Sequence, residues 1–299
     1  MTYGARLILI ILAFQLLSAN PTSLEYPIIP IIDCKDLNNN GYPDFIAFNN
    51  SPAPRTLYHV ELNNSYVEFL WEFSIPTNIQ GYFADIIFGD FNNDGRLELI
   101  SATYQNETDN IFYVFPVDVL GFNKVSPQIM GIRNSPLATI QPRKLYPMNK
   151  DSEGYRSFII TQGSPDPHII ICNYIDGEIN YVGSYGNTFI NQSTGPHELS
   201  LGKFDGDNFE DLFILSNGQN PEGYFIYSDG SEEKVPLDNY PRLRILHNRG
   251  VDLNFDGIED LFMVSEDDGI MSNIWGEEAI KLSEENVQDI AVSLDNGLI

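Results

Sequence analysis

A short acidic loop that recurs along the chain at a nearly fixed period most limits what this sequence can fold into. The segment DLNNNGYPD begins at Asp36 and recurs as DFNNDGRLE at Asp90 and as DLNFDGIED at Asp252. Weaker copies begin at Asn149 and Lys203, so successive starts are 54, 59, 54 and 49 residues apart. Such regularity indicates a repeat architecture. We number the loops one to five, with positions 1 to 9 in each: residues 36–44, 90–98, 149–157, 203–211 and 252–260.

Short apolar runs flank the loops and predict that the repeats are built from strands. FADIIFGD precedes loop two and LELISA follows it, and both runs are rich in Ile, Leu and Phe. About 50 residues with roughly four short strands is the size of one propeller blade. We therefore predict an all-β fold, a β-propeller of about five to seven four-stranded blades over residues 20–299. The tail after residue 288 resembles the entry to loop two and suggests an incomplete propeller, whereas only residues 277–288 have helical character.

Loops one, two and five carry oxygen-bearing side chains where a hard cation needs them. Their positions 1, 3, 5 and 9 are Asp, Asn or Glu, and their position 6 is Gly. Calcium takes six to eight oxygens at about 2.3–2.6 Å, and a tight glycine-containing turn can supply them from side chains and a carbonyl. We predict about two to three structural Ca²⁺ ions. The predicted ligands are Asp36, Asn38, Asn40, the Tyr42 carbonyl and Asp44; Asp90, Asn92, Asp94, the Arg96 carbonyl and Glu98; Asp252, Asn254, Asp256, the Ile258 carbonyl and Asp260.

Other interpretations of the loops stay open. The same residues also make good turns without any metal. Magnesium is disfavoured because it keeps several waters, and an EF-hand is excluded because no Glu stands at position 12. Loop four has Lys203 at position 1, whose ammonium is expected to neutralise the Asp side chains, so we predict that this loop stays metal-free. Loop three has Ser157 at position 9, and we expect weak binding or none.

The N-terminus has the pattern of an export signal. Arg6 precedes the apolar run LILIILAFQLL, which has the length of a signal-peptide core and is short for a membrane span. We predict a signal peptide over residues 1–19 and a mature protein of the secretory pathway, either secreted or on the extracellular face of the membrane. An uncleaved N-terminal anchor is the alternative. Sequons predict N-glycosylation at Asn63, Asn106 and Asn191.

The composition excludes several classes of partner. With 16 Lys and Arg against 42 Asp and Glu, the net charge of −26 argues against binding nucleic acid or an anionic membrane surface. Hydrophobic residues make up 42% of the chain, enough to bury a sizeable core. The two cysteines, Cys34 and Cys172, lie in apolar strand-like runs, and we expect them to be unpaired; a disulfide between them is the alternative.

The loops and their flanks resemble FG-GAP repeats, the units of the integrin alpha-chain N-terminal propeller. Phe88-Gly89, immediately before Asp90, matches the first half of that motif. The exported chain is also similar to the T-cell immunomodulatory protein (Linkin) family, in which FG-GAP repeats form an extracellular domain ahead of a membrane span. This resemblance covers roughly residues 27–299. It implies a cell-surface or secreted adhesion module with structural calcium and no catalytic residues, although no membrane span follows the repeats here.

No enzyme motif accompanies the repeats. The histidines have no zinc-site spacing, and a nucleophile elbow, a Walker loop and a dinucleotide-binding motif are all missing from the sequence. We expect a non-catalytic monomer that binds a protein or glycan partner at the cell surface. Two alternatives stay open: a secreted propeller hydrolase or lyase acting on carbohydrate or lipid, and a truncated ectodomain without independent function.

Overall fold

The computed structural model describes most of the chain between residues 29 and 265. The predicted signal peptide, the helical segment 277–288, two of the sequons (Asn106 and Asn191) and one predicted ligand (Asn254) lie outside the described residues. The described residues are 29–50, 54–63, 66–76, 81–105, 111–117, 126–136, 140–151, 154–162, 169–185, 198–216, 222–235, 237, 243–245, 249–252, 256–261 and 263–265.

All regular structure in the described residues is β-strand, as the sequence predicts. The strands begin and end close to the apolar runs that flank the loops. They are β1 (Ile29–Lys35), β2 (Asp44–Asn49), β3 (Thr56–Asn63), β4 (Tyr66–Ser74), β5 (Gly81–Gly89), β6 (Leu97–Gln105), β7 (Ile111–Val117), β8 (Gln128–Met130), β9 (Ile132–Arg133), β10 (Pro142–Lys150), β11 (Arg156–Gln162), β12 (Ile169–Ile175), β13 (Glu178–Tyr185), β14 (Glu198–Gly202), β15 (Asp211–Ser216), β16 (Glu222–Ile226), β17 (Glu232–Val235), β18 (Leu243–Ile245) and β19 (Met263–Ser265).

The strands form sheets in which each strand pairs with the next along the chain, except that β9 pairs with β13. Sheet 1 has the order β1-β2-β3-β4, sheet 2 β5-β6-β7-β8 and sheet 4 β14-β15-β16-β17, and the paired strands are antiparallel. Sheet 3 has the order β10-β11-β12-β13-β9, and β18 pairs with β19 in sheet 5. A four-stranded antiparallel meander is the topology of a propeller blade. The predicted all-β, propeller-type fold is confirmed.

Each repeat loop joins the first strand of a sheet to its second strand, and that second strand is heavily buried where its side chains are described. All six residues of β2 are buried, and so are residues 211–215 of β15. A strand covered on both faces needs apolar side chains on both, which explains the continuous runs DFIAF and DLFIL in place of strict alternation. The outer strands are more exposed, as in β17, where three of the four residues are exposed.

The described residues divide into two compact units, which are considered separately. The first unit holds sheets 1 and 2, packed through a cluster that includes Ile46, Leu57, Phe83 and Leu99. The second unit holds most of sheets 3, 4 and 5. One cluster, with Ile159 among its members, joins sheets 3 and 4, and a second cluster joins sheets 4 and 5. Within each unit, successive sheets bury their apolar faces against each other, which is how repeat architectures build a core.

Two further expectations concern cysteine and the membrane. Cys172 is a buried free thiol, consistent with the expected unpaired state, and burial raises its pKa to about 12. Among the described residues, no helix is long and apolar enough to cross a bilayer.

Candidate metal centre

The repeat loops share one hydrogen bond that ties the loop to the core. The carboxylate at position 9 is the first residue of β2 and β15 and the second of β6, and it is buried in loops one, two, four and five. In three loops this carboxylate accepts the backbone N–H of position 2. These bonds run from Leu37 to Asp44 (2.6 Å), from Phe91 to Glu98 (2.9 Å) and from Phe204 to Asp211 (2.8 Å). A buried carboxylate therefore closes each of these loops.

The middle of loops one, two and four is a pair of side-chain turns, and the described part of loop five shows the second of them. The oxygen of position 3 accepts the N–H of position 5, and the oxygen of position 5 accepts the N–H of position 7, so Tyr42, Arg96 and Ile258 bind position 5 through their backbone. Position 6 has a left-handed φ of +91° at Gly41 and +83° at Gly95. Only glycine adopts this conformation without a steric cost, which explains the glycine there.

Loop four brings three carboxylates together. Ligand oxygens of Asp205, Asp207 and Asp211 all lie within 4.8 Å of one another. Two oxygens bound to one calcium ion at about 2.4 Å are at most about 4.8 Å apart, so the cluster fits a single ion. Burial raises the pKa of Asp211 and the nearby Asp205 raises it further, while the N–H groups of Ser228 and Phe204 lower it. A cation at this cluster would relieve the burial and repulsion of negative charge.

The sequence predicts that the Lys203 ammonium neutralises the Asp side chains of loop four. The structure does not show an ion pair between them. Within the described residues, the Lys203 ammonium forms no salt bridge. The residue instead bonds through its backbone, with its N–H donating to Glu259 Oε2 at 3.1 Å and its carbonyl accepting the Glu259 N–H at 3.0 Å. Among the residues that the structure describes, the expected ion pair between Lys203 and the loop four carboxylates is therefore not seen. Whether the loop binds metal stays a prediction.

Loop two crowds negative charge around a buried carboxyl. Burial raises the pKa of Glu98 to about 7, and the neighbouring Asp94 and Asp90 raise it as well, against hydrogen bonds from the Phe91 and Asn92 backbone. Asp90 Oδ1 is also shielded from solvent. The ligand set predicted for this loop lies in the described part of the chain. Its charge and burial fit a divalent cation.

Loop five repeats this arrangement in part. The Asp252 carboxylate accepts the N–H of Asp256 at 3.1 Å and of Gly257 at 2.9 Å. Asp256 accepts the Ile258 N–H at 2.8 Å, and Asp260 is buried at 4% exposure. Loop five therefore shares two features with loop two: the Asp at position 5 accepts the N–H of position 7, and the carboxylate at position 9 is buried.

Loop one has the same turn but different partners. The Asp36 carboxylate accepts the N–H groups of Asn40 and Gly41, as its counterpart does in loop five. The side-chain amides of Asn38 and Asn40 donate to Glu61 on β3, at 3.2 and 2.5 Å.

The position 9 carboxylate of loop one also has a partner on β3. His59 Nε2 lies 2.9 Å from Asp44 Oδ1, and His59 and Glu61 are 2% and 3% exposed. Sequence reasoning missed both residues. Their two-residue spacing on the apolar strand next to Asp44 was the available signal.

Loop three differs most from the others. Its Asn149 N–H donates to Glu210 Oε2 at 2.8 Å, and Asp151 accepts the Tyr155 N–H at 2.9 Å. Ser157 at position 9 is half-buried and offers no carboxylate. The expectation of weak or no metal binding there stays a prediction. The remaining described sequon residue, Asn63, ends β3 and pairs with Tyr66 across the hairpin.

Comparisons with known proteins are limited to one repeat segment and distant structures. No curated protein matches the sequence significantly. The chain is similar to a candidate 6-phosphogluconolactonase from Bacteroides uniformis, with 14% identity, a TM-score of 0.47 and coverage of 77% of this chain and 62% of that one. It is also similar to the exotype rhamnogalacturonan lyase YesX, with 11% identity, a TM-score of 0.40 and coverage of 72% of this chain and 48% of that one. A third similar structure is rhamnogalacturonan lyase PL11 from Bacillus licheniformis, with 11% identity, a TM-score of 0.40 and coverage of 86% of this chain and 57% of that one.

This chain therefore spans about half to three-fifths of the length of those proteins. Structural similarities with such low sequence identity and TM-scores support no conclusion about the activity of this chain. The sequence match is more local: residues 36–101, which hold loops one and two, match the FG-GAP-like repeat.

Proposed function

We propose that this chain is a calcium-stabilised, propeller-type interaction module of the secretory pathway that binds a protein or glycan partner without turning it over. The observation that carries the calcium part is the cluster in loop four, where oxygens of Asp205, Asp207 and Asp211 lie within 4.8 Å of one another. The FG-GAP-like match over residues 36–101 supports a module of this repeat class. The buried position 9 carboxylates extend the same chemistry to other loops.

A cation in such a loop would stabilise the fold by joining the loop to the core. Asp211 is the first residue of β15, whose residues 211–215 are buried, so an ion bound to Asp211 holds the surface loop on the central part of its sheet. The unfolded chain has no preformed site, and the free energy of metal binding therefore adds to the free energy of unfolding.

Loops two, four and five offer the best ligand sets. Each has three carboxylates at positions 1, 3, 5 and 9, and calcium affinity rises with the number of charged ligands. The all-oxygen sets favour calcium over transition metals, which prefer nitrogen or sulfur ligands. The residues that would hold the ions are Asp90, Asn92, Asp94 and Glu98; Asp205, Asp207 and Asp211; Asp252, Asn254, Asp256 and Asp260.

The secretory setting and the non-catalytic role are supported by the sequence. The apolar run over residues 7–17 and the sequons favour export, where free calcium is high enough to occupy weak extracellular sites. Within the described residues, the group of three acidic side chains with converging oxygens belongs to a repeat loop. A structural ion accounts for that group without requiring turnover.

Thermal unfolding with calcium and with EGTA tests the proposal. The full chain is produced in a secretory host, and the wild type is compared with Asp94→Ala and Asp207→Ala. We expect calcium to raise the unfolding midpoint of the wild type by several degrees and each loop variant to lose part of that rise. Glu232→Gln, which removes an exposed acid outside the loops, is the matched control and should keep the full rise. A folded protein with no calcium response would overturn the proposal.

Secretion is tested in the same preparation. The protein should appear in the medium and migrate faster after enzymatic removal of N-glycans. Asn63→Gln should remove part of that shift. Retention of an unglycosylated chain inside the cell would contradict the secretory assignment.

A further inference from the structure

We propose that loop one is closed by hydrogen bonds from β3 and holds no calcium, although its sequence matches a calcium loop and lies inside the FG-GAP-like segment. The inference rests on the proposed function only for its contrast with loop two. The contacts of loop one itself carry the rest of the argument.

The position 9 carboxylate of loop one is fully engaged by the protein. Asp44 Oδ2 accepts the Leu37 N–H at 2.6 Å, and Asp44 Oδ1 lies 2.9 Å from His59 Nε2. A carboxylate only accepts hydrogen bonds, so Nε2 carries the hydrogen of this contact. Asp44 is 0% exposed and His59 is 2% exposed. In loop four the corresponding Asp211 Oδ1 also accepts a hydrogen bond, from the Ser228 N–H at 2.9 Å, so loop one is distinguished by a donor that is a buried side chain, His59.

The two asparagines of loop one are engaged at both ends of their side chains. Asn38 Oδ1 accepts the Asn40 N–H at 3.1 Å, and Asn40 Oδ1 accepts the Tyr42 N–H at 2.9 Å. Their amide nitrogens donate to the same Glu61 oxygen, at 3.2 and 2.5 Å. In loops two, four and five, position 5 is Asp, whose second oxygen is an acceptor where Asn40 has a donor.

Loop one also offers fewer charged ligands than loops two, four and five. Its carboxylates are Asp36 and Asp44, whereas each of those loops has three at positions 1, 3, 5 and 9. Calcium affinity depends on the number of charged ligands. One of its two carboxylates is also bonded to His59, so loop one has less to offer an ion than loops two, four and five.

The β3 partners are particular to sheet 1. Glu61 stands opposite Asp44 and His59 opposite Ile46 in the register of β2 and β3. In sheet 2, the residue opposite Glu98 is Pro116, whose side chain cannot replace Glu61. The position equivalent to His59 is Val114 in sheet 2, which pairs with Ile100. In sheet 4 it is Phe225, which pairs with Phe213.

Calcium stoichiometry and the effect of Glu61 test the inference together. Bound calcium per chain is measured by equilibrium dialysis for the wild type, Asp36→Ala and the matched loop two variant Asp90→Ala. We expect Asp36→Ala to leave the number of ions unchanged and Asp90→Ala to lower it by one. A loss of one ion in Asp36→Ala would overturn the inference.

The second readout does not depend on calcium binding. Glu61→Gln removes the charge that accepts both amides while keeping the side-chain size, and its unfolding midpoint is measured in EGTA and in saturating calcium. We expect the same drop from the wild type in both conditions. A drop that appears in EGTA and is abolished by calcium would show an ion in loop one and overturn the inference. If the wild type binds no calcium at all, the proposed function fails, and an equal drop in both conditions still supports metal-free closure of loop one.

Discussion

The two units join successive repeats with different chemistry. In the first unit, the Asn50 side chain bonds to both backbone groups of Phe83, donating to its carbonyl at 2.7 Å and accepting its N–H at 2.8 Å. Aromatic rings fill the rest of this junction, with Trp71 and Phe115 in edge contact at 5.2 Å. Sheets 1 and 2 are thus joined by one amide and an apolar, aromatic face.

In the second unit, acidic side chains at position 8 make the junctions. Glu210 of loop four accepts the Asn149 N–H of loop three at 2.8 Å and pairs with Arg249, which also donates to the Pro147 carbonyl. Glu259 of loop five accepts the Lys203 N–H at position 1 of loop four.

The residue at position 8 therefore contacts the preceding loop in the second unit but not in the first. A glutamate there reaches back to position 1 of the preceding loop, whereas Pro43 and Leu97 occupy position 8 in loops one and two and cannot accept an N–H. The turn geometry of the loops is thus largely common to the repeats, while the residue beside the buried carboxylate decides whether a charged side chain is added to the apolar contact between neighbouring sheets.

Removing the Glu210 carboxylate should produce the largest effect on the second unit. Glu210→Ala leaves Arg249 and the Asn149 N–H without their partner, and the Glu210 side chain is only 7% exposed. We expect the free energy of unfolding to fall by about 3 kcal/mol. This value is at the lower end of the range for breaking a buried ion pair, because the Arg249 side chain is 31% exposed. Urea unfolding measures it.

The matched control is an exposed ion pair. Arg133→Ala breaks the contact with Glu178, whose side chains are 64% and 37% exposed, and should cost at most about 1 kcal/mol. Equal losses in the two variants would contradict the role given to position 8.

Loop two in the first unit should make calcium-free stability depend on pH. Because the pKa of Glu98 is about 7 in the folded chain and near 4.5 unfolded, the folded state holds a proton that the unfolded state has released. The stabilisation is fully present below about pH 4.5 and is lost as the pH rises through 7, a change of about 3 kcal/mol.

Unfolding in EGTA at several pH values checks this dependence. Glu98→Gln should flatten it, and calcium should reverse it, because a bound cation favours the charged carboxylate. The same pH dependence in wild type and Glu98→Gln would show that another group is responsible.

Replacing Gly250, which packs closely against its neighbours at the junction of sheets 4 and 5, should have a smaller effect on stability. A Cβ added at Gly250 would lie 2.8 Å from the Phe204 ring and 2.8 Å from Glu259 Cβ, and the Phe204 ring is buried. Gly250→Ala should therefore cost about 2 kcal/mol by overpacking. Gly183→Ala, where a Cβ meets nothing within 4 Å, is the control and should cost less than about 0.5 kcal/mol in thermal unfolding.

The amide junction of the first unit should show the smallest loss. Asn50→Ala removes two hydrogen bonds to the Phe83 backbone. Because water partly replaces them, the free energy of unfolding should fall by only about 1 kcal/mol. Asn50→Asp keeps the acceptor but loses the donor, and should fall between the wild type and Asn50→Ala in urea unfolding. A loss as large as that of Glu210→Ala would remove the contrast between the units.

The sequence predicted the features that depend on local spacing. The period of the loops, the apolar run after each one and the glycine at position 6 follow from turn and strand preferences. The structure accordingly confirms β2, β6 and β15 where they were expected. The position 9 carboxylates were also identified, because they sit at a fixed distance from position 1.

Contacts across strands could not be predicted in the same way. His59 and Glu61 follow Asp44 by 15 and 17 residues, and only the register of β2 and β3 brings them together. The role of Glu210 depends on Asn149, 61 residues away. In loop four, the sequence identified Asp205, Asp207 and Asp211, but only the folded loop shows that their oxygens lie within 4.8 Å of one another.

Equilibrium calcium binding to the full, secreted chain tests the central claim most directly. The account predicts one ion for each of loops two, four and five, with Asp94→Ala and Asp207→Ala each losing one and each lowering the unfolding midpoint in calcium. A folded protein that binds no calcium, or whose binding is unchanged in both variants, would contradict it.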